Sequence, residues 1–177
     1  MKTEQSNVVL IGMPGAGKST IGVLLAKRLE YDFLDTDIVI QAREGRGLHR
    51  IIREEGTERF RALEARYVRE TAVSRCVVAT GGSVVYDEGA MNHLRADGRV
   101  VFLDISLTAL ADRLGDIDAR GVTRAPGQTL ADLFAEREPL YRRHADIVVS
   151  CDGRNPEMVV RAVLAGLEKF PESVPIL

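Results

Sequence analysis

The stretch that decides the fold is VVLIGMPGAGKST, Val8 to Thr20. Val8 to Ile11 is a short, continuously apolar and mostly β-branched run, the pattern of a strand covered on both faces of a parallel sheet. Gly12 to Ser19 then fits G-x-x-x-x-G-K-[ST] at every fixed position. The residue types follow from the chemistry. Glycines let successive backbone N–H groups turn inward around a phosphate chain, Lys18 reaches the outer phosphates, and the Ser19 hydroxyl ligates Mg²⁺. From Ser19 the period changes: Ile21, Leu24, Leu25 and Leu29 recur at helical spacing, so the loop opens a helix whose N-terminus is itself an anion site. A chance glycine-rich turn would have neither the strand before it nor the helix after it. The nucleotide-binding set is Gly12, Gly15, Ala16, Gly17, Lys18, Ser19 and Thr20, and the ligand is a nucleoside triphosphate with its Mg²⁺.

A chain of 177 residues with 45% hydrophobic content is long enough for one domain with a sizeable core, and residues 1–177 are read as that domain. The net charge of -2 with mixed signs, and only 5% aromatic residues, leave no polyanion-binding stripe and few stacking platforms. Nucleic acid is excluded as a partner on that ground. The opening MKTEQSN is polar, and the apolar run behind it is too short for a signal peptide or a membrane span. A cytoplasmic monomer with no membrane partner is expected. Cys76 and Cys151 stand at the edges of strand-like runs without metal-ligand spacing and read as buried thiols. His49, His93 and His144 share no metal or triad spacing and read as surface or capping residues.

Strand-like and helix-like segments alternate. DFLDTD reads as a second strand, and CVVAT, RVVFLDI and DIVVS as a third, fourth and fifth. Between them, Phe60, Leu63, Tyr67 and Thr71 mark one helix, Leu107, Leu110 and Leu114 another, and Leu130, Leu133, Phe134 and Leu140 a third. The last helix starts at NPE, with Asn155 as N-cap, Pro156 at the first helical position and Glu157 at the positive end of the dipole. This order implies right-handed crossovers and a three-layer α/β/α sandwich, with the site at the carboxyl ends of the strands.

Asp35 and Asp37 fall at such an end, two residues apart, so both face the crevice if the strand ends between them. Paired acids beside a phosphate loop divide two tasks: one carboxylate orders the hydration of Mg²⁺, the other accepts a proton from an attacking hydroxyl. The plain structural reading is an N-cap aspartate plus a solvated one.

GMPGAGKST, FLDTD, FRALE, ATGG and EREPLYRRHAD, in this order and at these separations, resemble the shikimate kinase family of P-loop small-molecule kinases, over about Val8 to Leu167. The resemblance implies a five-stranded parallel sheet of order 2-3-1-4-5, a mobile lid at about residues 116–128, and ATP with Mg²⁺. By the same resemblance, Asp37 would bind the acceptor hydroxyl and help to deprotonate it, and Asp35 would act through Mg²⁺ water. Arg61 and Arg137 would clamp the acceptor's carboxylate, Gly81 and Gly82 would touch its body, and Arg120 would be the catalytic lid arginine. Arg113 and Arg154 would bind the nucleotide, Arg154 lining the adenine pocket.

Simple chemistry bears on each assignment. Arg61 taken alone could be an i,i+3 surface partner of Glu64, but with Arg137 it makes a bidentate carboxylate site. A glycine pair after a strand permits close backbone approach to a ligand, although it also serves as an ordinary turn. Arg142 and Arg143 read as a solvated face. GDIDARGVTRAPGQTL is long, charged and irregular, and a lid is the natural role for it beside a phosphoryl-transfer site, with Arg120 or Arg124 reaching the phosphate. Two departures from the family pattern concern the acceptor: Gly121-Val122-Thr123 follows Arg120 where the family has proline and two leucines, and Ser83 stands where it has a third glycine. Shikimate is the expected acceptor and homoserine the alternative, with Ser83 narrowing the site. A GTP-dependent switch is disfavoured, since no N-K-x-D occurs and the D-x-x-G at Asp118 to Gly121 follows a helix.

Overall fold

β1, Asn7–Ile11, is buried along its whole length because it lies at the middle of the sheet, paired in parallel with β3, Cys76–Ala79, on one side and β4, Gly98–Asp104, on the other. The computed structural model describes residues 6–114, 124–125 and 127–170. β2, Asp32–Asp35, and β5, Ile147–Ser150, complete the sheet at its two edges, giving the order β2-β3-β1-β4-β5 with all strands parallel. The burial follows the position. β1 and β3 are buried throughout, whereas β5 alternates buried and exposed residues as an edge strand does.

The connecting helices are α1, Lys18–Leu29; α2, Thr36–Glu44; α3, Leu48–Arg69; α4, Glu88–Asp97; α5, Leu107–Leu114; α6, Leu130–His144; and α7, Pro156–Leu167. α1 packs with α7, and α3 with α4, as the two helical layers about the sheet. α7 begins as its sequence predicts, with Asn155 accepting from the Met158 N–H at 2.9 Å and Pro156 at its first position. α6 begins with a reciprocal cap between Thr129 and Asp132. One core cluster runs through the sheet; a second, of Ile40, Ile51, Phe60, Leu63 and Tyr67, joins α2 to α3 beside the carboxyl end of β2.

Three features differ from the sequence reading. The helix marked at Phe60 to Thr71 begins twelve residues earlier, at Leu48, and bends at Gly56 (φ 84°, ψ 165°), where the charged run and the glycine interrupt the apolar period. It ends at Arg69, and Thr71 closes its last turn by donating its hydroxyl to the Tyr67 carbonyl at 2.9 Å. α2 and α4 are two further helices that the sequence reading does not mark, α4 burying Ala90, Met91 and Leu94 at helical spacing. His144 is neither surface nor cap: it is 2% exposed in the last turn of α6, and burial lowers its pKa. His49 is exposed, and His93 Nε2 lies 2.7 Å from the Thr71 carbonyl. Both cysteines are buried free thiols pushed up to about 11 by burial.

Candidate active site

The phosphate loop is a backbone device. Gly12, Gly15 and Gly17 hold φ of 144°, 85° and 98°, the region that disfavours any side chain, and the turn between β1 and α1 depends on them. α1 has no side-chain cap and no acid in its first turn, so its amide groups are left for an anion. The buried Lys18 ammonium donates to the carbonyls of Gly12 at 2.8 Å and Met13 at 2.9 Å, which fixes it over the loop. Burial lowers its pKa to about 8, against the opposing pull of Asp37.

Ser19 and Asp35 meet directly, the hydroxyl donating to Asp35 Oδ2 at 2.6 Å. The other oxygen of Asp35 caps α2, accepting from the Asp37 N–H at 3.0 Å and from the Ile38 N–H at 3.4 Å. The N-cap reading and the metal reading thus concern different oxygens of one side chain. Both donors are hard oxygens that suit Mg²⁺. No three His, Cys, Asp or Glu side chains cluster as metal ligands among the described residues.

β2 ends at Asp35, so Asp37 enters the first turn of α2 and turns into a cavity of about 660 Å³. Burial raises its pKa to about 6, although Lys18 works in the other direction. Asp37 Oδ1 is buried with no hydrogen-bond partner among the described residues. The solvated-aspartate reading therefore does not hold for Asp37. The same cavity is lined by Pro14, Gly15, Gly17, Lys18, Ser19 and Thr20 on one side, and by Glu64, Gly81, Gly82, Ser83 and Arg137 on the other.

The glycine pair is required by close approach. A Cβ at Gly81 would run into Glu64 Oε1 and would lie 2.8 Å from Asp37 Oδ1; one at Gly82 would lie 2.9 Å from Pro14 Cδ and 3.1 Å from Arg137 Nη1. The turn is fixed by Thr36 Oγ1, which accepts the Gly81 N–H at 3.0 Å, and by Tyr141, which donates to the Gly82 carbonyl at 2.6 Å. Tyr141 stacks on Phe102 of β4, which seats α6 and brings Arg137, one turn earlier, to the cavity wall with 0% exposure. Arg137 Nε donates to the Tyr86 hydroxyl at 3.1 Å.

For Glu64 the plain reading, a surface partner of Arg61, does not hold, and the reading as an acceptor in the site does. It is 1% exposed, accepts the Ser83 hydroxyl on Oε2, and has Oε1 buried with no partner among the described residues. Burial raises its pKa to about 7, with the Ser83 hydrogen bond pulling the other way. The signal was present: Glu64 stands four residues after Phe60 and three before Tyr67, an acid on the apolar stripe of α3. Tyr86, in the 3₁₀ turn Val84–Tyr86, was not singled out.

Arg61 does not line the main cavity. It lines a neighbouring pocket of about 350 Å³ that shares Glu64 and Ser83 with it, lies 3.8 Å from Glu58, and stacks on the Tyr86 ring at 4.0 Å. Arg113 lines both the main cavity and a third pocket of about 180 Å³, which holds Arg154 and abuts Ala16, Gly17 and Thr20. Arg113 also donates to the Ala16 carbonyl at 3.4 Å. Arg120 and most of the segment 116–128 lie outside the described residues. Arg124, the alternative lid arginine, donates to the Gln128 carbonyl. Arg142 and Arg143 are exposed and paired with Asp104 and Glu88.

A phosphate loop at the head of a parallel sheet of order 2-3-1-4-5, facing an acidic acceptor wall across one cavity, defines a P-loop small-molecule kinase. Comparison with known proteins narrows this class. A shikimate kinase family model matches residues 14–168. The shikimate kinase of Pseudomonas aeruginosa (strain LESB58) is 44% identical over 93% of this chain and 98% of its own. Among solved structures, shikimate kinase from Acinetobacter baumannii in complex with shikimate superposes with a TM-score of 0.85 at 30% identity, covering 93% of this chain and 94% of its own. The enzyme from Aquifex aeolicus vf5 does so with a TM-score of 0.79 at 34% identity, covering 93% and 97%. The chain belongs to the shikimate kinase family and is an ATP-dependent kinase; the family uses ATP with Mg²⁺.

Proposed function

We propose that this enzyme transfers the terminal phosphate of ATP to a hydroxyl of shikimate, giving shikimate 3-phosphate for aromatic amino-acid biosynthesis. The observation that carries this reading is the acceptor wall, where two buried carboxylate oxygens without a hydrogen-bond partner among the described residues, Asp37 Oδ1 and Glu64 Oε1, converge over Gly81 in the cavity that Arg137 also lines. Two acceptors and one cation suit a molecule with several hydroxyls and one carboxylate. The Acinetobacter relative, solved with shikimate bound, supports the same acceptor.

Asp37 takes the proton of the attacking hydroxyl; a carboxylate raised to about 6 is ionised at neutral pH and is a better base than an ordinary one. Lys18 and the N-terminus of α1 hold the phosphate chain and stabilise the charge that develops on the transferred group. Ser19 and Asp35 are the residues that would hold Mg²⁺, directly or through its waters; the ion when bound neutralises phosphate charge. Arg137 holds the acceptor's carboxylate from the main cavity and Arg61 would reach it from the adjoining pocket, Gly81 and Gly82 let its body approach the backbone, and Arg113 and Arg154 flank the nucleotide. Arg120 keeps its reading as the arginine of a lid over residues 116–128. The enzyme is read as one kinase domain acting as a cytoplasmic monomer on a small molecule, without nucleic acid or membrane. No helix among the described residues is long and apolar enough to cross a membrane.

The homoserine alternative has Ser83 narrowing the site and Glu64 or the Ser83 oxygen receiving an ammonium. Ser83 gives its hydroxyl to one oxygen of Glu64 and leaves the other for a donor on the acceptor, which a ring hydroxyl or an ammonium would satisfy; the shikimate kinases that the chain resembles favour the ring acceptor. A coupled ADP-release assay with ATP and Mg²⁺, run side by side on shikimate, homoserine and a nucleoside monophosphate, tests the reading. Turnover on shikimate alone is expected; turnover on homoserine with none on shikimate overturns the substrate and keeps the mechanism.

A further inference from the structure

Arg61 and Arg137 come from α3 and α6, far apart in sequence, and carry the same charge. What stands between them is Tyr86. Its ring takes the Arg61 guanidinium at 4.0 Å and the Arg137 guanidinium at 5.3 Å, both within cation–π range. Its hydroxyl accepts from Arg137 Nε at 3.1 Å and donates to Glu136 Oε1 at 2.6 Å, so its donor and one of its lone pairs are both engaged. Glu136 is itself held, because its other oxygen accepts from Gln128 Nε2 at 2.5 Å, just before the Thr129 cap of α6. Tyr86 and Arg61 line the neighbouring pocket, which shares Glu64 and Ser83 with the main cavity that Arg137 lines, and the contacts of Tyr86 named above are with the two arginines and Glu136.

We infer that Tyr86 is a positioning residue for acceptor specificity: it sets two like-charged guanidiniums, one on the face of its ring and one on its hydroxyl, as a pair that reads a carboxylate. The inference rests on the proposed role of Arg61 and Arg137 and names what organises them. Ordinary attraction to a π face and to a fixed oxygen offsets the repulsion between the cations, and Glu136 with Gln128 keeps the phenol from rotating away. The acceptor then meets a prepared fork, and no ordering of the arginines has to accompany binding.

The test compares Tyr86→Phe and Tyr86→Leu with the wild type on shikimate and on its methyl ester, which keeps the ring and hydroxyls and loses the charge. Tyr86→Phe keeps the ring and is expected to raise the shikimate KM about three- to tenfold, with kcat and the ATP KM near wild type. Tyr86→Leu loses ring and hydroxyl, and is expected to raise that KM by about ten- to a hundredfold and to shrink the preference for shikimate over the ester by a similar factor. A merely structural role would lower the melting temperature without changing that preference. Arg61→Lys and Arg137→Lys are the controls. If they weaken shikimate binding while both Tyr86 variants keep the wild-type KM and ester preference, the inference is overturned. If the arginine variants also keep them, the carboxylate clamp fails first, and the inference with it.

Discussion

The two walls of the cavity are built on opposite principles. The nucleotide wall comes from one stretch of chain, Gly12 to Thr20, and works through backbone: three glycines with positive φ and the bare amide groups of α1. The acceptor wall is assembled from side chains on α2, α3, the turn after β3 and α6: half-buried Asp37 and buried Glu64, Ser83 and Arg137, each carrying charge or a hydrogen-bond function. Local conformation serves any triphosphate, whereas a tertiary constellation of buried polar groups recognises one acceptor. The first costs glycine entropy, the second desolvation. The raised pKa values of Asp37, to about 6, and Glu64, to about 7, are the mark of that second cost.

Substitutions separate the walls, and the largest effect belongs to the nucleotide side. Lys18→Ala removes the fixed charge over the loop and is expected to lower turnover by about three to five orders of magnitude with every acceptor tried, the fold being intact by circular dichroism. Near wild-type turnover in the folded variant would abolish the distinction between the walls and the kinase reading with it.

Asp37→Asn keeps size and loses the base. Its kcat is expected to fall by about two to four orders of magnitude while ATP affinity, read by titration calorimetry, changes little. In the wild type, kcat/KM for the acceptor should drop about tenfold per pH unit below about pH 6, since Asp37 must be ionised to accept the proton. A collapse of ATP binding in Asp37→Asn with turnover retained would exchange the roles of Asp37 and Asp35.

Arg137→Lys keeps the charge and loses the planar fork, so the acceptor KM should rise about tenfold with the ATP KM unchanged. Coupling with Arg61→Lys is expected in the double variant, because both would hold one carboxylate. An equal rise in both KM values would mean that the walls are not independent.

The smallest effect is on stability. The folded-state pKa of Glu64 is raised above its value of 4.5, so the folded protein retains a proton that the unfolded chain loses, and stability falls as pH rises from about 4.5 through about 7. Glu64→Gln removes that loss. It should melt at a higher temperature than the wild type at pH 8, the difference closing towards pH 4, while its acceptor KM rises. Equal melting at pH 8 would place Glu64 in a more solvated setting than its 1% exposure indicates.

The same contrast decides what could be read from sequence. The phosphate loop, the five strands and the caps at Asn155 and Pro156 are local patterns, and the structure carries each of them. Ser19 is legible in the phosphate-loop motif, and Asp35 and Asp37 in their place at the carboxyl end of a strand, whereas Gly81, Gly82 and Arg137 take their readings from the family resemblance. The burial of Glu64 is not legible in sequence, because an acid three residues from an arginine on a helix also reads as a surface pair, and only the packing of α3 against the glycine turn decides between that and a place in the site. Tyr86 escaped because its importance lies in two cations brought to it by separate helices, which no spacing encodes. The onset of α3 was hidden by Gly56 and the charged run around it.

The central claim, that the acidic wall presents a shikimate hydroxyl to the phosphate held by the loop, is tested most directly by the product. Phosphorus NMR of the wild-type enzyme incubated with ATP, Mg²⁺ and shikimate should show one new phosphomonoester resonance, coupled to a ring proton and growing in step with ADP. ADP formed with inorganic phosphate alone, or with a phosphomonoester only when another acceptor replaces shikimate, would contradict it.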